Sequence, residues 1–246
     1  MSQHNQLGQP VGQPLPDWQP PLHPPRMPIQ GQYCTVAPFD LALHATALFA
    51  ANSQDDEGRM WTYLSGGPFD SLAAYHSWMG GLSAGNDPQF YTIIDHQPAR
   101  AVGVAAYLRI APAAGSIEVG HLAFSPLLQR QPAATEAMFL MMQHAFELGY
   151  RRYEWKCDAL NMRSRAAAQR LGFSFEGVFR QAGVYKGRNR DTAWFSVLDS
   201  EWPALHQAFT RWLAPANLAD GGPQRESLRA LTAPLLAQRD PVTSSR

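Results

Sequence analysis

The sequence predicts an α/β (α+β) fold: a single mixed, mostly antiparallel sheet flanked by helices. Three observations predict it. Strand-like and helix-like segments alternate along the chain, two pairs of strand-like segments are spaced as hairpins, and the helical stretches are apolar on one side.

Residues 1–30 are rich in Pro, Gln and Gly. Proline lacks a backbone donor and disfavours helices and central strands, so this stretch reads as an extended arm, able to lie across the domain. Tyr33–Val36 can form a first strand. Phe39–Ala51 places Leu41, Ala45, Leu48 and Phe49 at helical spacing. The polar loop Asn52–Gly58, the segment Arg59–Tyr63 and a Gly66-Gly67-Pro68 turn lead to a second helix, Phe69–Leu82, with Leu72, Tyr75 and Met79 on one stripe. Gln89–Asp95 and Ala101–Ile110, joined by His96-Gln97-Pro98, read as a hairpin, and Ser116–Phe124 as the next strand.

Pro132–Leu148 is the clearest helix. Met138, Met141, Met142 and Ala145 mark its apolar side, Glu136, Gln143 and Glu147 the opposite one, and Gly149 ends it. Tyr153–Cys157 is a short strand and Asn161–Leu171 a helix stopped by Gly172. Phe173–Phe179 and Asp191–Asp199 form a closing hairpin around a basic loop, followed by a helix over Trp202–Leu213. Asn217–Arg246 is polar and peripheral, with one helix-like stretch, Gln224–Leu236. The expected divisions are the arm 1–30, a domain 31–213 and a partly helical extension 214–246.

Composition narrows the function classes. Of 246 residues 45% are apolar and 16% charged, as in an ordinary globular protein with a sizeable core. Twenty basic and twenty acidic residues cancel, so no global field steers the chain to nucleic acid or an anionic membrane. Cys34 and Cys157 lie far apart without CxxC spacing, which argues against structural zinc and for reduced, partly buried thiols. The first thirty residues lack the charged-then-apolar pattern of a signal peptide, and no apolar run nears the roughly 20 residues of a membrane span. The expectation is a cytoplasmic monomer or homodimer.

The chemistry concentrates between Ser116 and Ala137, where a strand runs through a loop into a helix. The free amides and dipole of a helix start favour an anion, so a pyrophosphate at Gln129–Thr135 would meet amides, the Arg130 charge and the Thr135 hydroxyl. Spacing alone is a weak signal, since many strand–loop–helix units share it. The residues add more. Glu118-Val119-Gly120-His121-Leu122 with Gln129-Arg130-Gln131-Pro132-Ala133-Ala134-Thr135-Glu136-Ala137 resembles the acetyl-CoA motif of the GNAT superfamily, in the form of its RimJ/RimL-like branch. Asn161-Met162-Arg163-Ser164, Arg170-Leu171-Gly172-Phe173, Phe175-Glu176-Gly177 and Phe179-Arg180 are similar to its second signature. Gly187-Arg188-Asn189-Arg190-Asp191 before a last aromatic strand fits the same branch.

The resemblance implies a GNAT-like fold, acetyl-CoA as cosubstrate, no metal, and acetyl transfer to a primary amine of a small molecule or peptide. The alternatives are a protein N-terminal acetyltransferase and a non-catalytic CoA-binding domain. It implies that the pantetheine arm lies beside Leu122, Ala123 and Phe124, with an amide near Leu122 or Ala123 as oxyanion donor. The diphosphate would rest on Gln129, Arg130, Gln131, Ala133, Ala134 and Thr135, with Asn161 and Ser164 contacting the cofactor. The family loop usually has glycine where this chain has Pro132, so one amide is lost while the helix start is kept.

An amine attacks only when neutral, so a base is needed. Glu118 is the first candidate, with ion pairing at a strand end as its competing explanation; His121 is the second. Many GNAT enzymes place a tyrosine seven residues after the motif asparagine. Here that position is Ala168, which leaves Ser164 as the acid candidate against an ordinary helix hydroxyl. On the acceptor side the candidates are Arg59, Trp61, Tyr63 and Tyr185, whose aromatic and cationic character suits an amine that also bears a carboxylate or phosphate. Asp55-Asp56-Glu57 points instead to a cationic acceptor, and the sequence leaves both open.

Overall fold

The computed structural model describes residues 3–97, 99–217 and 224–243. One eight-stranded sheet organises the chain. A two-residue pair, β1 (Gln3–His4) and β2 (Pro10–Val11), stands apart in the arm. The main strands are β3 (Ile29–Gln30), β4 (Cys34–Pro38), β5 (Gln89–Asp95), β6 (Arg100–Ala111), β7 (Ser116–Phe124), β8 (Arg152–Asp158), β9 (Ser174–Tyr185) and β10 (Arg188–Leu198). Their spatial order is β3-β4-β5-β6-β7-β8-β10-β9. Every neighbouring pair is antiparallel except β7 and β8, whose crossover is the helix α3 (Pro132–Glu147).

Alternation along β6 shows how two layers attach. Ala105 and Tyr107 join the core under α3, α4 (Met162–Arg170) and α5 (Trp202–Leu213), while Val104 and Ala106 join the core under α1 (Leu41–Asn52) and α2 (Leu72–Ser83). Asp40 and Ser71 cap α1 and α2, each accepting from an amide three residues on.

Three sequence expectations are revised. Glu136 is not on a solvated helix face: it is buried, and its carboxylate accepts from the amides of Gln32, Tyr33 and Cys34 at 2.7, 2.7 and 2.8 Å. It fastens the start of β4 to the first turn of α3, and a Cβ at Gly31 would collide with it. The basic loop expected between Phe179 and Asp191 is mostly strand. Only Lys186 and Gly187 turn, both with positive φ (49° and 68°), the backbone of a two-residue hairpin whose twist matches its strands. Exposed charged side chains suit the edge of a sheet as well as they suit a loop.

The third revision concerns the extension. Its helix α6 spans only Leu228–Thr232, yet Leu228, Thr232 and Asp240 are buried. Asp240 pairs with the equally buried Arg165 through bonds of 2.7 and 2.6 Å, and Phe175 donates its amide to the Gln238 carbonyl at 3.0 Å. The arm, by contrast, crosses the end of the sheet away from the β7–α3 loop. Tyr150 and Tyr91 donate their hydroxyls to the carbonyls of Leu22 and Pro25.

Removing one member of a buried ion pair costs about 3–5 kcal/mol, because it strands the other charge. Arg165→Met should therefore lower stability by roughly that amount in urea unfolding; a midpoint within error of the parent's would show that the extension is not integral.

Candidate active site

Two bulges shape the middle of the sheet. On β6 an extra residue lies between Leu108 and Ala111, and Arg109 takes a φ of 47°. On β7 the pairing jumps from Gly120 to Ala123, and His121 takes a φ of 50°. A bulge bends its strand and strengthens its twist. On its other side β7 pairs with β8 only from Ser116–Arg152 to Val119–Trp155. Beyond that point the parallel strands part, and Gly120–Phe124 runs on without a β8 partner. A cleft of about 970 Å³ opens there.

The start of α3 forms one wall. Gln131 is the N-cap residue, in extended conformation and without a side-chain cap bond, and Pro132 takes the first helical position. Among the described residues nothing accepts from the amides of Arg130 and Ala133, while the Ala134 amide makes a tight turn to the Gln131 carbonyl (3.1 Å). Gln129, Arg130, Gln131, Ala134 and Thr135 line the cleft. Ala133 is buried in the core instead. The Thr135 hydroxyl accepts from Arg170 at 2.7 Å and keeps its own proton to donate, so the Arg170 guanidinium joins it among the groups offered to an anion there.

The start of α4 faces it. Asn161 caps this helix, its Oδ1 accepting from the Ser164 amide (3.1 Å). The Ser164 hydroxyl accepts from the Trp155 indole (3.0 Å) and lies beside the Cys157 thiol. Asn161, Ser164 and Trp155 line the cleft with Leu122 and Phe124 of β7. The Ala123 side chain points into the α1–α2 core, and Ala168 is fully buried.

Both base candidates project from β7 towards the face that carries α1 and α2, and neither lines the cleft. Glu118 is buried. Its Oε2 accepts from Arg109 (2.7 Å) and Lys156 (2.9 Å). Burial pushes its pKa up, and the two cations pull it down less strongly. Lys156 also pairs with Glu154 (2.8 Å) and lies 3.7 Å over the Trp194 ring; Arg152 continues the network to Glu176. His121 is half-buried against Phe90, with ring centroids 5.1 Å apart, and its imidazole has no hydrogen-bond partner among the described residues. Burial and the Arg109 charge lower its pKa, so it is neutral at pH 7.

The acceptor-side candidates divide. Arg59 and Tyr63 line the cleft with Met60 and Thr62. Trp61 is core, edge-on to Phe69 and Trp78. Tyr185 lies beyond the cleft lining and donates to Asp158 (2.8 Å), where burial and that carboxylate raise its pKa to about 12. Tyr63 reaches across to the Leu160 carbonyl (3.2 Å), and Lys186 donates to the carbonyls of Trp61 (2.7 Å) and Gly67 (3.2 Å), fixing the hairpin tip to that wall. Arg170, which the sequence offered only as part of the second motif, is a site residue; its signal was burial of a charge, which spacing does not show.

Both cysteines are buried free thiols, and burial holds the Cys157 pKa up, at about 11. Among the described residues no group of three or more His, Cys, Asp or Glu could hold a metal ion, and no helix is long and apolar enough to cross a membrane.

A mixed sheet parted beside a helix start, with arginines around the opening, suits an anionic ligand, and the family match makes the protein an acyl-CoA-dependent acyltransferase. The chain belongs to the GNAT family: residues 35–174 match the acetyltransferase (GNAT) domain, so the protein is an N-acetyltransferase that draws on acetyl-CoA. It is similar to a GCN5-related N-acetyltransferase from Brucella melitensis, with 47% identity and a TM-score of 0.86 over 89% of this chain and 99% of that one. It is also similar to a probable GNAT-family acetyltransferase from Chromobacterium violaceum, with 42% identity and a TM-score of 0.75 over 80% and 98%. The likeness to RimL, a ribosomal L7/L12 alpha-N-protein acetyltransferase, is distant: 21% identity and a TM-score of 0.60 over 70% and 93%, which shows the fold alone. No curated protein matches the sequence.

Three imidazoles, His44, His121 and His144, are held by burial below their ordinary 6.5. The folded form binds fewer protons at these sites than the unfolded chain, so their contribution is complete above pH 6.5 and is lost as the pH falls below it. Thermal unfolding should show the midpoint falling as the pH drops below 6.5. A midpoint that stays level or rises there contradicts these burials.

Proposed function

We propose that acetyl-CoA binds with its diphosphate on the Arg130 amide and the Arg130 and Arg170 guanidinium groups. Its pantetheine arm then follows the unpaired edge of Gly120–Phe124, and the acceptor is a small amine or peptide entering past Arg59 and Tyr63. The observation that carries this reading is the parting of β7 from β8 next to a helix start with free amides. Gln131, Asn161 and Ser164 border the donor. An amide at Leu122 or Ala123 polarises the thioester carbonyl; such a preorganised donor lowers the barrier most, because charge develops on that oxygen.

The amine nitrogen attacks the thioester carbon, the C–S bond breaks, and the amine proton passes to a base. His121 suits that task best, being neutral, unpartnered and on the acceptor face. Glu118 is the second reading, favoured by an Oε1 that has no hydrogen-bond partner among the described residues while Oε2 holds both cations. The departing thiolate takes a proton from Ser164 or water; a free thiol has a pKa of roughly 8.5 and leaves with modest help.

Thiol release measured with purified protein, acetyl-CoA and a panel of amines tests the reading. His121→Ala should lower kcat by about 10²-fold or more, and remove a pH dependence in which activity rises as the imidazole loses its proton. If Glu118→Gln removes that dependence and His121→Ala does not, the base is Glu118. Arg130→Ala should raise the KM for acetyl-CoA. No saturable acetyl-CoA binding would end the proposal.

A further inference from the structure

The cleft is electrically one-sided. Its charged wall residues among the described ones are Arg59, Arg130, Arg163 and Arg170, with no carboxylate. Three of them stand at the α3–α4 side, where the proposed diphosphate rests. Arg59 stands apart on the segment between α1 and α2.

The acidic run beside it does not face the cleft. Asp55 accepts from the Met60 amide (2.7 Å), which shapes the turn, and Asp55, Asp56 and Glu57 are absent from the lining. Glu57 instead pairs with Arg59, on side chains 63% and 66% exposed. So a carboxylate already lies on the rim arginine, in an exposed pair of little net worth that another carboxylate could replace.

We propose that the acceptor is a small amine carrying a carboxylate, an amino acid, and that Arg59 grips that carboxylate in place of Glu57. The reading rests on the donor and acceptor sides assigned above. A polyamine or aminoglycoside would meet arginines and find no anion on the walls.

The test compares the common L-amino acids with their carboxamides by thiol release, in the parent, Arg59→Gln and Glu57→Gln, with acetyl-CoA binding measured separately by calorimetry. The carboxylate series should exceed the amides by about ten- to a hundredfold in kcat/KM, the size of a lost charge-assisted contact. Arg59→Gln should erase that preference through KM, and Glu57→Gln should lower the KM for amino acids by removing the competitor. Amides equal to or better than acids, or a preference that survives Arg59→Gln, overturns the proposal. So does turnover of neither series by protein that binds acetyl-CoA, and then the donor side still stands. Failure to bind acetyl-CoA removes both.

Discussion

The structure depends on one event in the sheet: the parallel pair β7–β8 stops after Val119 and Trp155. A sheet that stayed closed would bond the Gly120–Phe124 backbone to β8 and leave no opening. The bulge at His121 bends β7 where pairing ends, and the left-handed backbone there is uncommon for a residue with a Cβ. The two strands also turn in different directions. β8 continues into its pairing with β10 as far as Asp158, while β7 runs into the Ser125–Gln131 loop and the start of α3.

What surrounds the opening keeps it open. On the acceptor face Glu118 and Lys156 link β7 to β8 just before they part, and Arg109 adds a link to β6. Breaking that network would leave a buried charge, so the strands are joined firmly where they meet and separate only beyond. On the donor face Glu136 binds the first turn of α3 to the beginning of β4, and Arg170 of α4 holds Thr135 of α3. The start of α3, which borders the cleft, is thus tied from two sides by buried polar contacts. A site of this kind needs little rearrangement to receive a charged ligand.

Much of the fold was legible because burial leaves a periodic trace. Gln89–Asp95, Ser116–Phe124 and Trp202–Leu213 begin and end where their patterns do. The family likeness was carried by the β7–α3 and α4 motifs, and the domain match covers both. The bulges left no trace, since Arg109 and His121 adopt positive φ without glycine's usual mark. Partnerships between residues far apart were equally silent. Glu136 looked like a surface acid and Asp240 like part of a polar tail, until the fold brought amides and a cation to them. The site was readable as a location and less so as chemistry: Arg170 stands beside Thr135, Trp61 is core, and the order of His121 and Glu118 turns on partners that only the packing reveals.

A crystal structure of the protein with acetyl-CoA addresses the central claim most directly. The diphosphate should lie against the Arg130 amide, and the thioester oxygen within hydrogen-bonding reach of the β7 backbone between Leu122 and Phe124. A pantetheine arm lying outside the gap between β7 and β8, or a gap closed by pairing of those strands, would contradict it.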